Sequence, residues 1–419
     1  MFSFVHTADI HLDSPMEKLG WYEGAPVNQL RSAARRAFDN VVRLAMAEGV
    51  DFMLIAGDLY DGDRQDYNTA LYFSRKMHEL ALSGIRVFVV AGNHDAANAI
   101  THRLSPPDNV HVFSWEEPET VRLDDINAAI HGRSFSTKAE RDNLAAGFPP
   151  ALPGMFNVGL LHTSLTGRPG HEPYAPCGPG DLAAAGYDYW ALGHVHTYEE
   201  VSRNPWIVFP GNVQGRNVRE CGDKGCLLVR VGDTGAADVE FRSACVARWE
   251  RVEVDAGGME TANELPQAAA AAIEERLAQC GSLPAAVRVG VTGATSAHEG
   301  FLADPEKWTA EVRAAAMGGA TGRAWIEQVI FATRPTAEHE QALSDEGPMG
   351  ELADLLREAA NDPELLAELG AAVKDMADKL PRELRNHADG FDPLHQQTLA
   401  RLVEQAGDLL VQRLTNPES

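Results

Sequence analysis

Five short apolar runs in the first half of the chain each end in aspartate, asparagine or histidine, and this repetition constrains the fold more than any other feature. Residues 87–91 are apolar, rich in β-branched side chains, and stop at Gly92. Asn93, His94 and Asp95 follow, the pattern of a buried strand with polar groups at its C-terminal end. Residues 3–7 lead in the same way to Asp9 and His11. Phe52–Ala56 leads to Gly57 and Asp58, residues 157–161 to His162, and residues 189–192 to Gly193, His194 and His196. Open α/β sheets bind ligands beyond the C-terminal ends of their strands, so the five ends read as parts of one pocket.

The segments between these runs carry helical periodicity. Residues 27–48 place Leu30, Ala34, Ala37, Val41 and Leu44 on one face and Arg31, Arg35 and Arg43 on the other, and 67–83 is a second helix. Strands follow around 110–113, 128–131, 206–209, 225–231 and 238–241. The Gly/Pro-rich stretch 167–180 reads as a functional loop. Residues 1–245 thus form one α/β domain. Residues 246–335 repeat a strand–helix pattern on a smaller scale, with strands at 249–254, 286–291 and 324–332 and helices at 259–278 and 305–317. The second of these helices starts at Pro305 after the capping residue Asp304. Residues 336–350 read as a polar linker. The remainder of 336–419 is helical, with a stripe formed by Leu352, Leu355, Leu356, Leu365, Leu366 and Leu369.

A chain of 419 residues is too long for one ordinary core, which agrees with two or three domains. The net charge of −25 argues against a generic basic nucleic-acid binder, though not against a nucleic-acid enzyme. The acidity is densest away from the motifs: residues 1–250 hold 22 Lys and Arg against 32 Asp and Glu, and residues 251–419 hold 14 against 29. No apolar run is long enough for a membrane span, and the N-terminus lacks a basic n-region and a small-residue cleavage site. The five cysteines share no metal-ligand spacing, so reduced thiols and a cytoplasmic setting are expected.

Asp, Asn and His together make an oxygen and nitrogen donor set suited to Mn²⁺, Fe²⁺, Zn²⁺ or Mg²⁺. The order D-x-H, GD, GNHD, H, G-H-x-H resembles the calcineurin-like metallophosphoesterase superfamily. The flanks HTADIHLDSP, AGDLYD, VAGNHD, LLHTSL, YWALGHVH and FPGN look like the SbcD-type DNA repair exonucleases, and FPGNVQGRNVRECGDKGCLLV looks closer to a bacterial YhaO-like subgroup than to SbcD itself. The resemblance implies an α/β fold: a metallophosphoesterase β-sandwich flanked by helices, then a small α+β DNA-capping domain and C-terminal helices that bind a partner. It implies two divalent ions, most simply Mn²⁺. Asp9, His11, Asp58 and His196 would hold one ion, and Asp58, Asn93, His162 and His194 the other, with Asp58 bridging. Such a pair activates water and clamps a phosphoryl group. His94 would protonate the leaving oxygen, with Asp95 orienting it. Asp13, Asp61 and Asp63 would cap loops or support the ligands. Asn212, Arg216 and Arg219 would meet the DNA backbone. The resemblance further implies a nucleoid-associated setting, a homodimer and a coiled-coil ATPase partner, SbcC-like or YhaN-like. Some relatives carry a histidine three residues after the bridging aspartate, where this chain has Asp61. A small-molecule phosphodiesterase, for example on cyclic nucleotides, is the rival reading, and a non-catalytic scaffold docking an ATPase is another.

Overall fold

The computed structural model describes residues 1–14, 30–61, 67–96, 107–166, 173–318, 323–337, 348–379 and 394–415. Asp63, residues 27–29, residues 167–172 of the Gly/Pro-rich loop, and most of the expected linker lie outside the described residues. The chain divides into two compact units, residues 1–250 with 280–286, and residues 251–279 with 287–419.

The first unit opens with β1 (Phe2–Thr7), α1 (Ala33–Glu48), β2 (Phe52–Ala56), α2 (Tyr67–Leu82), β3 (Arg86–Val90) and the single turn α3 (Asn93–Ala96). Next come β4 (Val110–Val112), β5 (Glu119–Leu123), β6 (Ala128–Arg133), β7 (Phe156–His162), α4 (Pro179–Ala184) and β8 (Tyr189–Gly193). It continues with β9 (Glu199–Arg203), β10 (Trp206–Phe209), β11 (Gly225–Val231) and β12 (Ala237–Ser243). Two six-stranded sheets result, in the orders β12-β11-β1-β2-β3-β4 and β5-β6-β7-β8-β10-β9.

The strands that end in the motifs are neighbours. β1, β2 and β3 run parallel side by side in the first sheet, and β7 and β8 run parallel in the second. All five C-terminal ends therefore reach one edge of the sandwich. Between the sheets, Phe4, Phe52, Leu54 and Phe88 pack against Ile130, Val158, Leu160, Tyr189 and Val208. The Phe4 and Phe52 rings stack at 4.7 Å, and Tyr189 meets Phe4 edge-on at 5.2 Å. The opposite face of the first sheet, with Val5, Met53, Ile55 and Val87, lies under Phe38, Val41 and Val42 of α1 and Met77 and Leu80 of α2. Burial on both faces explains why these strands read as unbroken apolar runs and not as alternating ones.

Two strands carry no such run. β5 and β9 are edge strands; β5 exposes Thr120 and Arg122 in alternation and β9 is only partly buried along its length, so hydrophobicity does not mark them. Arg35, on the arginine-bearing face of α1, donates from Nε to Asp13 Oδ1 at 2.7 Å, and Thr69 bonds the same carboxylate. Asp13 thereby ties the β1 loop to α1 and α2.

A three-stranded sheet follows, mostly within the second unit, in the order β13 (Arg248–Asp255), β14 (Ala285–Ala294), β15 (Ala324–Arg334). Its helices α5 (Leu265–Ala278) and α7 (Pro305–Gly318) pack together, and a shorter α6 (His298–Ala303) precedes the latter. Asp304 caps α7 by accepting from the Lys307 N–H at 2.9 Å. α8 (Pro348–Asn361) and α9 (Pro363–Lys379) each pack on α10 (Gln396–Thr415). The leucine stripe is partly used in this packing: Leu366 is buried, while Leu355 stays 63% exposed. No helix among the described residues is long and apolar enough to cross a membrane.

Phe52→Ala removes a ring stacked between the sheets and is expected to cost about 3–5 kcal/mol in chemical denaturation. Leu71→Ala, on an exposed face of α2, is expected to stay within about 0.5 kcal/mol of the parent.

Candidate metal centre

The loops after β1 and β2 continue the sheet beyond its strands. Asp9 N–H donates to Gly57 O, His11 N–H to Asp58 O, and Leu12 N–H to Leu59 O, all at 2.9–3.0 Å. To do so, Asp9, His11 and Asp58 adopt left-handed backbone angles, with φ of 49°, 46° and 51°, and His194 sits at 107°. Such conformations cost on the order of 1–3 kcal/mol each in a non-glycine residue and cluster where side chains must be aimed. Two glycines let the sheets close at this edge. A Cβ on Gly193 would lie 1.8 Å from Ala56 O, and one on Gly57 would lie 2.5 Å from the His162 ring.

These loops bring the motif residues together. Ligand atoms lie within 4.8 Å of one another in three groups: Asp9, His11 and His196; His11, Asp58 and His94; Asp9, Asp58 and His162. Asp58 Oδ2 is the shared point, 3.6 Å from His162 Nε2, 3.8 Å from His11 Nε2 and 4.0 Å from His94 Nε2. Asn93 places Oδ1 3.0 Å from His162 Nε2. His194 donates its backbone N–H to both oxygens of Asp9, and its ring lies 5.2 Å from that of His162. None of the three donor groups includes His194. The cysteines make no disulfide and enter none of these groups.

The pocket is short of positive charge. Asp9 is pushed well above the ordinary carboxylate range by burial and by the neighbouring Asp58. Burial also pushes Asp58 up, but His162, His11 and His94 around it outweigh that and hold it low. Burial depresses His11 to about 3, with Arg216 adding to the effect, and burial lowers His162 as well. A neutral His162 has one N–H, and its Nδ1 faces Ala56 O at 2.9 Å while its Nε2 faces Asn93 Oδ1. With Nδ1–H donated to the carbonyl, a nitrogen lone pair meets an oxygen lone pair. Converging lone pairs between buried carboxylates are what a divalent cation satisfies, so the residues fit a metal.

The structure redistributes several supporting roles. Asp95 was expected to orient His94. It accepts instead from the N–H groups of Leu59, Tyr60 and Gly92 at 3.0–3.2 Å, fastening the β2 and β3 loops. The carboxylate at His94 is Asp61, with Oδ1 3.1 Å from Nδ1. That contact has ion-pair distance but not hydrogen-bond direction, since His94 Nδ1 finds no aligned acceptor. Asp61 Oδ1 also lies 3.7 Å from His11 Nδ1, and its Oδ2 lies 3.5 Å from Arg216. For His94, burial opposes the charged form, but Asp61 and Asp58 outweigh it and raise the pKa above the usual histidine value.

The three residues expected to touch substrate separate. Asn212 is fully buried and donates to Gln214 O and Glu220 Oε2, so it is a strut and not a DNA contact. Arg216 lies at the pocket, 17% exposed and paired with Glu220 and Asp61. Arg219 is exposed. Glu220, which the motif order does not single out, accepts from His196 Nδ1 at 2.8 Å. Its only sequence signal is a carboxylate directly after Arg219 in a loop that also holds Arg216 and Asp223.

Residues 2–198 match the family model for calcineurin-like phosphoesterases, and residues 249–334 match the middle domain of the metallophosphoesterase YhaO. The chain is 35% identical over 257 residues to YhaO of Bacillus subtilis, itself described as an uncharacterized metallophosphoesterase, covering 60% of this chain and 63% of that one. It is 26% identical over 275 residues to the DNA double-strand break repair protein Mre11 of Methanopyrus kandleri, covering 60% and 56%. For Mre11 of Halobacterium salinarum the identity is 25% over 305 residues, covering 70% and 71%. The chain thus spans less than two thirds of the length of the first two relatives.

Asp58→Asn tests the charge balance. Mn²⁺ at a hundredfold excess over its Kd is expected to stabilise the parent by about 2.7 kcal/mol and the variant far less, read by thermal denaturation.

Proposed function

We propose, from the premise that residues 2–198 belong to the calcineurin-like phosphoesterases, that this chain is a metal-dependent nuclease hydrolysing DNA phosphodiester bonds. The carrying observation is Asp58 Oδ2 set between the Asp9/His11/His196 donors and the Asn93/His162 donors, with His94 partly open to solvent at 30% exposure. Asp9, His11, Asp58 and His196 would hold one ion. Asp58, Asn93 and His162 would hold the other, with His194 beside them. Two divalent ions, of which Mn²⁺ suits the donor set, supply the positive charge that activates a water and neutralises the phosphoryl oxygens.

The chain's own residues do the rest. His94 Nε2 faces the pocket and Nδ1 faces Asp61. As the water oxygen bonds to phosphorus and the bond to the leaving oxygen breaks, the proton on His94 Nε2 passes to that oxygen. Asp61 holds the ring and favours its protonated form. Arg216 adds a fixed cation beside the phosphoryl position.

DNA is the favoured substrate because two of the relatives are named for DNA double-strand break repair, and because a small phosphodiester does not require a second unit. The acidic balance of the chain favours a partner that supplies phosphate contacts. A coiled-coil ATPase of the SbcC or YhaN kind fits that need, with the exposed Leu355, Met376 and Leu410 of the C-terminal helices as its contact and a dimer as the assembly.

With Mn²⁺ and an end-labelled duplex, cleavage is expected from the native protein, and His94→Ala is expected to lower it by about 10²–10⁴-fold. Hydrolysis of a cyclic nucleotide with intact DNA, even with the ATPase present, would replace the substrate assignment. Asp61→Asn gives a pH test. Activity needs protonated His94 and is lost as pH rises through its raised pKa. Removing Asp61 lowers that pKa, so the alkaline limb of kcat is expected to move to lower pH. A limb that stays in place contradicts the role of Asp61.

A further inference from the structure

Each buried imidazole at the pocket must present one particular nitrogen to a cation, and the group bonded to its other nitrogen decides which. His162 is set by a backbone carbonyl, with Nδ1 2.9 Å from Ala56 O. His196 is set differently. Its Nδ1 lies 2.8 Å from Glu220 Oε1, and its Nε2 lies 3.3 Å from His11 Nε2 and 3.9 Å from Asp9 Oδ1.

Glu220 is itself held from several sides. Oε2 accepts from Asn212 Nδ2 and from the Arg216 N–H, both at 2.8 Å, and Oε1 accepts from the Arg216 guanidinium at 3.0 Å. The side chain is 9% exposed. The loop bearing Asn212 is joined to the Asp9 loop by a bridge between Ala8 and Asn212. Lys224 Nζ donates to His196 O at 2.6 Å, fixing the same residue through its backbone. The segment from 212 to 224 therefore grips His196 at both ends.

We propose that Glu220 is a positioning residue for the metal centre. It keeps the His196 proton on Nδ1, leaves the Nε2 lone pair on the side of Asp9 and His11, and fixes the ring plane. It touches neither substrate nor metal. Asn212 and Arg216 serve the same end by holding the carboxylate. Arg216 also comes within 3.2 Å of His196 Nδ1, but a guanidinium has no acceptor, so Glu220 is the only one of the two that can take the Nδ1 proton.

The inference rests on the two-metal reading of the pocket and not on DNA as substrate, so its test uses Mn²⁺ alone with the full chain. Mn²⁺ binding is titrated by calorimetry, and the bound ions are followed by electron paramagnetic resonance, in which an exchange-coupled pair differs from the six-line signal of an isolated ion. The parent is expected to bind two ions and show the coupled signal. Glu220→Gln is expected to weaken one site by about 10–100-fold, the range for partners of metal-ligating histidines, and to leave the other intact, so that the isolated-ion signal appears at intermediate Mn²⁺. Glu220→Ala is expected to do the same more strongly. Gln keeps the buried volume, so it carries the test if Ala does not fold. Two unchanged sites in Glu220→Gln overturn the inference alone. Equal weakening of both sites also overturns it, since Glu220 would then be a strut of the fold. A parent that binds no pair removes the two-metal reading, and the inference with it.

Discussion

Asp9 and Asp58 are buried within 4.8 Å of each other where two sheets meet, and much of the first unit serves to make that juxtaposition hold. Two carboxylates so placed repel each other and lack water, so one is pushed toward the neutral form unless a cation intervenes. The backbone accepts left-handed angles at Asp9, His11 and Asp58 to aim their side chains inward. Gly193 gives up a side chain so that its strand can approach Ala56 O. The aromatic layer of Phe4, Phe52 and Tyr189 behind the site holds the sheets at the required spacing. A site this strained persists because a large, dry core fixes its edges.

Around the donors lies a second ring of carboxylates, each with its own task. Asp95 fastens two loops through backbone N–H groups. Asp61 stands between His94, His11 and Arg216 and biases His94 toward the protonated state. Glu220 holds His196. Arg216 pairs with both Asp61 and Glu220, so it joins the acid side of the pocket to the ligand side. The pocket's chemistry depends on these pairings as much as on the donors, because a ligand with the wrong nitrogen forward, or an acid without its proton, leaves the geometry intact and the reaction slow.

The donor types were legible in the sequence because each follows directly on a buried strand, and strand ends of a parallel sheet share one edge. Most strands and helices were legible for the same reason, since cores impose period and length on apolar residues. β5 and β9 were not, because edge strands have one wet face and need no apolar run. The supporting roles were not legible either. Asp95 adjoins His94 in sequence, yet the turn at α3 points its carboxylate back at Leu59 and Tyr60. Asp61 reaches His94 from 33 residues away, and Glu220 reaches His196 across a strand pair and a loop. Asn212 and Glu220 are polar residues in a charged loop, a composition that reads as surface. Their burial follows from packing of that loop beside β1, which no local pattern records.

If two cations occupy the pocket, Asp58 would lie between them. Anomalous scattering at the manganese edge, from crystals of the full chain grown with Mn²⁺, tests it most directly. Two peaks are expected to flank Asp58 Oδ2, one among Asp9, His11 and His196 and the other among Asn93, His162 and His194. A single peak that Asp58 does not touch, or none in the pocket at saturating Mn²⁺, would contradict it.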